Sequence, residues 1–148
     1  MPIYRVETSD LESLAAISDA AIEHGVSAPP EVLADFKQLC RKYTALDSAN
    51  PECAFLKFVE VDVILGYILV KDYWNLSNLF VLPAHQKRGV GKALLEEALS
   101  ICRANSSRGY VRLNSSLNAV QFYQRLGFVE ADERVVRRPY SVPMEYLL

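Results

Sequence analysis

The sequence has little of what marks membrane proteins, disulfide-rich proteins or nucleic-acid binders. Its longest apolar run, residues 63–70, is far short of the ~20 residues that span a bilayer. Its three cysteines are an odd number without close pairing, and with only two histidines they give no zinc-ligand spacing. Sixteen basic and 18 acidic residues give a net charge of −2, without the basic excess of a nucleic-acid binder. We therefore expect no metal site, no membrane partner and no nucleic-acid partner.

The length and composition favour one folded domain. The chain has 148 residues, 51% of them hydrophobic, which is enough to build a single core. Residues 1–8 contain no apolar signal core, and no repeat or linker divides the sequence. We expect a single domain over residues 1–148, located in the cytoplasm as a monomer or a homodimer.

The hydrophobic pattern predicts an α+β domain with one mixed sheet. Helical spacing first occurs over residues 8–24, where Ser9 and Glu12 form a capping-box pattern, and then from Pro30 to Tyr43. Three short apolar runs follow and are typical of consecutive antiparallel strands. The predicted strands are residues 3–7, 53–60, 63–71, 76–82, 110–114, a strand starting at Gly127, and 140–148. The predicted later helices are residues 90–104 and 117–126.

A basic turn with two glycines joins a strand to a helix at residues 86–92. Such a turn presents unpaired backbone N–H groups and the positive end of the helix dipole, which together bind phosphate. Gly89 and Gly91 allow close approach of a ligand to the backbone, and Lys87, Arg88 and Lys92 add positive charge. An ordinary glycine turn at the start of a helix is the alternative interpretation.

Two familiar phosphate motifs are excluded at this turn. A P-loop requires glycine where Gln86 stands and Ser or Thr where Ala93 stands. The dinucleotide-binding fingerprint requires a third glycine where Leu94 stands and an acidic residue where Asn114 stands.

Two segments resemble the GNAT superfamily of N-acetyltransferases. Gln86-Lys-Arg-Gly89-Val-Gly91 resembles the acyl-CoA signature Gln/Arg-x-x-Gly-x-Gly/Ala of that family. Ala119-Val-Gln-Phe122-Tyr123-Gln-Arg-Leu-Gly127-Phe128 resembles its Ala-x-x-Phe/Leu-Tyr-x-x-x-Gly-Phe segment. Many members have Asn three residues before that Ala, where this chain has Ser116, with Asn118 nearby. The order of elements agrees as well.

The resemblance implies a mixed, mostly antiparallel central sheet flanked by helices, and acetyl-CoA as the cofactor. The strand before the signature would splay from strand 110–114, with pantetheine paired to backbone in the slot and an amide near Val81 polarising the thioester carbonyl. The cofactor-binding residues that it implies are Leu79, Val81, Gln86, Lys87, Arg88, Gly89, Val90, Gly91, Lys92, Asn114 and Asn118.

The resemblance also implies direct attack of an amine on the thioester, with Tyr123 protonating the departing thiolate. Packing in the core is the alternative for this tyrosine. At neutral pH only on the order of one amine in a thousand is free, so a base or a water relay is required. The candidates are Glu60, Asp72, Glu23, His85, or a water relay through Ser77 or Asn78.

The acceptor would be a primary amine: a small molecule, a peptide N-terminus or a lysine. In the resembled family it is bound by the helix pair, here residues 23–43, and by the last strands. Trp74 and Tyr73 are candidates for the acceptor side. Arg134, Arg137 and Arg138 are candidates for contact with the outer phosphate of the cofactor or with an acidic partner. The competing hypothesis is a non-catalytic acyl-CoA-sensing or protein-interaction module on the same fold, which would not need Tyr123.

Overall fold

A seven-stranded sheet runs through the computed structural model, which describes residues 2–131 and 139–148. The strands are β1 (Ile3–Arg5), β2 (Cys53–Glu60), β3 (Val63–Lys71), β4 (Asn75–Val81), β5 (Tyr110–Ser116), β6 (Val129–Glu130) and β7 (Ser141–Leu147). The helices are α1 (Leu11–Gly25), α2 (Pro30–Asp47), α3 (Val90–Asn105) and α4 (Val120–Arg125). Short 3₁₀ turns at Thr8–Asp10, Pro83–His85 and Leu117–Ala119 complete the regular elements.

The strand order is β1-β2-β3-β4-β5-β7-β6. Neighbours pair antiparallel except β4 and β5, which are parallel because α3 returns the chain across the sheet between them. This confirms the predicted α+β class with a mixed, mostly antiparallel sheet. The three apolar runs predicted as consecutive antiparallel strands are β2, β3 and β4.

Two apolar layers form because strand side chains alternate between the faces of the sheet. On β2, Ala54 and Leu56 face a cluster with the apolar side of α3, whereas Phe55 faces a second cluster with Leu14 and Ile17 of α1. Helix α2 adds Tyr43 to that second layer. The sheet therefore has α1 and α2 on one face and α3 on the other, and a site on either face has its own helical wall.

The beginning of the first helix differs from the prediction. Helix α1 begins at Leu11, after the 3₁₀ turn. The capping box predicted at Ser9 and Glu12 is wrong: the Asp10 carboxylate instead accepts the backbone N–H of Glu7 at 2.8 Å. The capping box is therefore two residues earlier, between Glu7 and Asp10, and it caps the 3₁₀ turn. In the part of the chain that the structure describes, no helix combines the length and the hydropathy needed to cross a membrane.

Candidate active site

Strands β4 and β5 diverge and leave a slot in the sheet. Their parallel pairing is limited to Asn75 with Arg112 and Leu76 with Leu113. Strand β4 continues to Val81 and β5 to Ser116 without a further pair between them. The slot therefore opens toward the carboxyl ends of both strands, in the splayed form that the resemblance implies.

The edge of β4 that faces the slot carries unpaired backbone groups at two alternate residues. The Leu82 N–H donates to the Leu65 carbonyl at 2.8 Å, which fixes the phase of the β3–β4 ladder. Bonded and non-bonded positions alternate in an antiparallel pair, so Leu79 and Val81 occupy non-bonded positions. Their N–H and C=O groups point away from β3, into the slot. An extended ligand can pair with the N–H and C=O of Leu79 and with the Val81 N–H as an added strand would.

Gln86 holds the end of this strand. Its side-chain amide donates to the Val81 carbonyl at 3.0 Å. The Val81 carbonyl is therefore already bonded, whereas the Val81 N–H stays unpaired in the sheet. The resemblance assigned Gln86 to cofactor binding, and the side chain here contacts the protein's own strand. Its backbone lies at the start of the turn toward α3.

Helix α3 begins in the turn that the sequence singled out. Gly89 is the N-cap residue with a φ of 88°, in the left-handed region that glycine adopts readily, and it has no side chain to cap the helix. The amides of Val90, Gly91 and Lys92 form the first turn, so they have no carbonyl partner within the helix. This end presents N–H groups and the positive dipole end, which is the arrangement that binds a phosphate.

Gly91 lies where α3 passes the slot. A Cβ built at this residue would be 3.4 Å from Phe122 Cζ and 3.7 Å from Val81 Cγ2, which is ordinary contact. A methyl group therefore fits, whereas a longer side chain would enter the space between β4 and α4. The basic neighbours Lys87 and Arg88 are exposed, and Lys92 lies 3.8 Å from Glu96.

Tyr123 is held by the way in which helix α4 ends. The Gly127 N–H donates to Gln124 O at 3.1 Å and the Phe128 N–H to Tyr123 O at 3.0 Å, which together form a Schellman motif. Gly127 has a φ of 98°, and the rings of Tyr123 and Phe128 meet edge to face at 5.5 Å. The Gly-Phe pair of the second sequence segment is thus the C-terminal cap that fixes the tyrosine.

We expect Gly127→Ala to destabilise the protein by about 1–3 kcal/mol, through left-handed strain and a clash. A Cβ at this position would lie 2.9 Å from Tyr146 Cε2. Urea unfolding of both proteins measures the change. Gly25→Ala is the control because nothing lies within 4 Å of its Cβ position. Equal stability of the Gly127→Ala variant and the wild type would contradict the capping role.

The Tyr123 side chain is 7% exposed and packs between Phe122 and Phe128. Burial raises the pKa of its hydroxyl above the ordinary tyrosine value. Its phenol therefore stays protonated through neutral and mildly alkaline pH. The described residues form no hydrogen bond with this hydroxyl.

A cavity of about 440 Å³ opens onto the divergence of β4 and β5. Strand residues Asn75, Ser77 and Asn114 contribute neutral polar groups to it. Apolar side chains of α2 and of the segment before it form most of the remaining wall. The described residues of the lining are Val26, Ala28, Val32, Leu33, Phe36, Leu39, Tyr43, Asn75, Leu76, Ser77, Asn114, Ser116, Pro139, Tyr140 and Ser141. Part of this lining lies within residues 23–43 and the last strands, where the resemblance places the acceptor.

The other predicted site residues lie outside this cavity. The Asn118 side chain donates to the Gly25 carbonyl at 2.6 Å and so ties the turn after β5 to the end of α1. Trp74 packs under the Arg108 guanidinium, and the Tyr73 hydroxyl donates to Pro51 O. Residues 134–138, with their three arginines, lie outside the described residues.

The proposed bases are dispersed as well. Glu23 pairs with Lys37 between α1 and α2. Glu60 is exposed at the end of β2, Asp72 is exposed in the turn after β3, and His85 is in the turn before α3. None of these four residues lines the cavity.

The sequence reasoning missed Tyr67 and the register shift in β4. Leu69 pairs with Asn78 but Val70 pairs with Leu76, so Ser77 is an extra residue in β4. This bulge turns Asn78 toward α2, where it meets the Tyr67 hydroxyl. The available sequence signal was the polar pair Ser77-Asn78 within an otherwise apolar strand. Such a pair is compatible with a bulge, and bulges concentrate beside functional sites.

Solved structures share this fold over nearly the whole chain. One is a PaiA N-acetyltransferase of Thermoplasma acidophilum in complex with coenzyme A: 22% identity, 99% of this chain and 98% of that one, TM-score 0.79. Another is a GCN5-related N-acetyltransferase structure, also described as a class-II aminotransferase, of Rhodopseudomonas palustris: 20% identity, 99% and 94% coverage, TM-score 0.82. At these identities the likeness shows the fold alone.

Sequence comparison defines the family. An N-alpha-acetyltransferase of Sulfurisphaera tokodaii is 29% identical over 109 residues, which are 61% of this chain and 64% of that relative. The match thus covers less than two thirds of the relative's length. Residues 16–148 match the family described as acetyltransferase (GNAT) domain, and the chain belongs to it.

Proposed function

We propose that the protein transfers the acetyl group of acetyl-CoA to a primary amine. The single observation that carries this proposal is the slot. At one place it brings together the free edge of β4, the start of α3 without a side-chain cap, and a cavity on the face of the sheet opposite α3. Membership of the GNAT acetyltransferase family and the coenzyme A complex of the Thermoplasma acidophilum neighbour support acetyl-CoA as the donor.

The residues of the slot fit coenzyme A in chemistry and in order. Leu79 and Val81 offer backbone pairing for the amides of pantetheine. The backbone amides from residue 86 to residue 92 meet the pyrophosphate, and the exposed Lys87 and Arg88 add favourable charge. In this proposal Asn114, at the β5 side of the slot, borders the thioester end.

Bound acetyl-CoA supplies a thioester whose carbonyl carbon forms the new C–N bond while the C–S bond breaks. Two groups of the chain act on that exchange. The Val81 N–H, unpaired in the sheet, donates to the carbonyl oxygen where negative charge develops. The Tyr123 hydroxyl, protonated because of its burial, gives its proton to the departing sulfur. The proton that the amine nitrogen loses as the C–N bond forms passes to solvent, and solvent restores the proton of the phenol.

The cavity favours an amine attached to an apolar body. Its wall has aromatic and aliphatic side chains from α2 and Tyr140, and the polar residues among its described members carry no charge. A polycationic acceptor would need carboxylates there, and the lining contributed by the described residues contains none. An arylalkylamine or a peptide N-terminus with an apolar first residue fits this chemistry.

The rate is expected to follow the ionisation of the amine rather than of a protein base. The described lining offers no carboxylate or imidazole, so kcat/KM should rise tenfold per pH unit up to the amine's own pKa. The raised pKa of Tyr123 keeps the acid protonated, so no fall is expected where an ordinary tyrosine ionises. Profiles with 2-phenylethylamine and its less basic β,β-difluoro analogue test this. A midpoint that does not move between the two amines would show a protein base instead.

The proposed function is tested by thiol release from acetyl-CoA in the presence of an amine panel. The panel contains 2-phenylethylamine, spermidine, a peptide with an internal lysine and a blocked N-terminus, and a peptide with a free Met N-terminus. We expect amine-dependent release and acetylated product by mass spectrometry, greatest for the apolar amines. Release that is independent of every amine, or no release, would overturn the proposal.

A further inference from the structure

A chain of buried polar groups leads from the cavity into the layer between the sheet and α1. Asn78 is fully buried, and its side-chain nitrogen donates to Cys40 O at 3.3 Å and to the Tyr67 hydroxyl at 3.0 Å. The Ser77 hydroxyl donates to Asn78 Oδ1 at 2.7 Å. Ser77 lines the cavity, so this chain of hydrogen bonds ends at the proposed acceptor site.

The orientation of the Asn78 amide is fixed by a partner that can only accept. Cys40 O is a backbone carbonyl, so the NH₂ group must face it. The amide oxygen is then the atom left for Ser77, and the serine must be the donor in that bond. The single Ser77 proton therefore points away from the cavity.

The far end of the chain has the same direction. The Tyr67 hydroxyl accepts a hydrogen bond from the Asn78 side-chain nitrogen at 3.0 Å. The bonds from Ser77 to Asn78 and from Asn78 to Tyr67 thus run in the same direction, and reversing Ser77 would leave the buried Asn78 Oδ1 without this donor.

We propose that the Ser77 Oγ lone pairs accept a hydrogen bond from the N–H of the acceptor amine, and that Asn78 is the positioning residue that holds Ser77 in this state. This inference rests on the proposed function and names the recognition element within it. The bulge places Ser77 outside the regular pleat of β4, beside the diverging strands. The cavity thus distinguishes a group that donates hydrogen bonds from one of equal shape that cannot.

The test compares 2-phenylethylamine with its N,N,N-trimethyl analogue, which keeps the body but has no N–H. In the wild type we expect the inhibition constant of the trimethyl compound to be about tenfold higher than the dissociation constant of the amine, and the test follows the ratio of these two constants. In Ser77→Ala this ratio should fall to about twofold, and Ser77→Thr, which keeps a hydroxyl, should restore it. The KM for acetyl-CoA should stay unchanged in both variants. The Tm should fall in Ser77→Ala, which leaves the buried Asn78 Oδ1 without its donor, and should be kept in Ser77→Thr.

A ratio that is the same in the wild type and in Ser77→Ala would overturn the inference while leaving the proposed function standing. If the wild type acetylates no amine, the proposed function fails separately. Equilibrium binding of the same two compounds to both proteins then supplies the ratio. Absence of binding of 2-phenylethylamine to the wild type would overturn the inference as well. A loss of Tm in Ser77→Ala without a change in the ratio would assign Ser77 a purely structural role.

Discussion

Replacing Tyr123 by Phe should lower kcat by roughly 10–10⁴-fold, a range that extends below the usual contribution of a positioned general acid. The substitution keeps the ring between Phe122 and Phe128 and removes only the hydroxyl. The affinity for acetyl-CoA should hardly change, because the proton is transferred only as the C–S bond breaks. Steady-state kinetics and calorimetric titration of both proteins measure the two quantities.

Three outcomes separate three interpretations of this residue. A large fall in kcat with unchanged stability identifies the acid. A wild-type rate with a small change in Tm assigns Tyr123 to core packing, with a different proton donor. Absence of turnover in both proteins, with intact acetyl-CoA binding, supports the acyl-CoA-sensing module. Phe122→Leu is a useful companion because it perturbs the same aromatic contact and leaves the hydroxyl in place.

Gly91→Glu should weaken acetyl-CoA binding by about a hundredfold or more, since a carboxylate would stand beside the pyrophosphate site. The second helical position tolerates an acidic residue well, because negative charge near the start of α3 is favourable to the helix itself. The Tm should therefore be preserved. Binding and stability are expected to change independently, which a general folding defect cannot produce.

Two matched variants separate charge from bulk at this position. Gly91→Gln has the same size without the charge and should bind more tightly than the glutamate variant. Gly91→Ala should stay within about threefold of the wild type, because its methyl group only makes ordinary contact with Phe122 at 3.4 Å. Unchanged affinity in a folded Gly91→Glu protein would contradict the placement of the pyrophosphate.

The sequence predicted the parts of the fold that depend on local pattern. Periodicity located β2, β3 and α3 almost to the residue, since each has a continuous apolar face. The capping-box spacing fits Glu7 with Asp10 as well as Ser9 with Glu12, so the start of α1 was misplaced. Only the folded chain, in which Asp10 accepts the Glu7 N–H at 2.8 Å, shows which pair forms. Residues 132–138 lie outside the described structure, so interpretations of their arginines stay predictions.

The sequence predicted which turn belongs to the candidate site, but it did not predict the side-chain contacts within the site. The basic glycine turn and the Phe-Tyr segment indicated where the ligand and the acid belong. The role of Gln86 at the Val81 carbonyl depends on the end of β4 in space, which spacing along the chain does not encode. The contact of Asn118 with Gly25 spans 93 positions of sequence and is equally invisible to local reasoning.

The donor–acceptor order of the hydrogen bonds through Ser77 and Asn78 could not be predicted from the sequence, for another reason. It follows from a register shift in β4 and from the Cys40 carbonyl, which belongs to α2 on the facing layer. A serine next to an asparagine shows polarity within a strand. Only the assembled layers show which of the two is the donor.

A crystal structure with bound coenzyme A tests the central claim most directly. We expect pantetheine along the Leu79–Val81 edge, the pyrophosphate on the first amides of α3, and the sulfur within about 3.5 Å of the Tyr123 hydroxyl. A coenzyme A bound away from the slot between β4 and β5, or one whose sulfur is out of reach of Tyr123, would contradict the account.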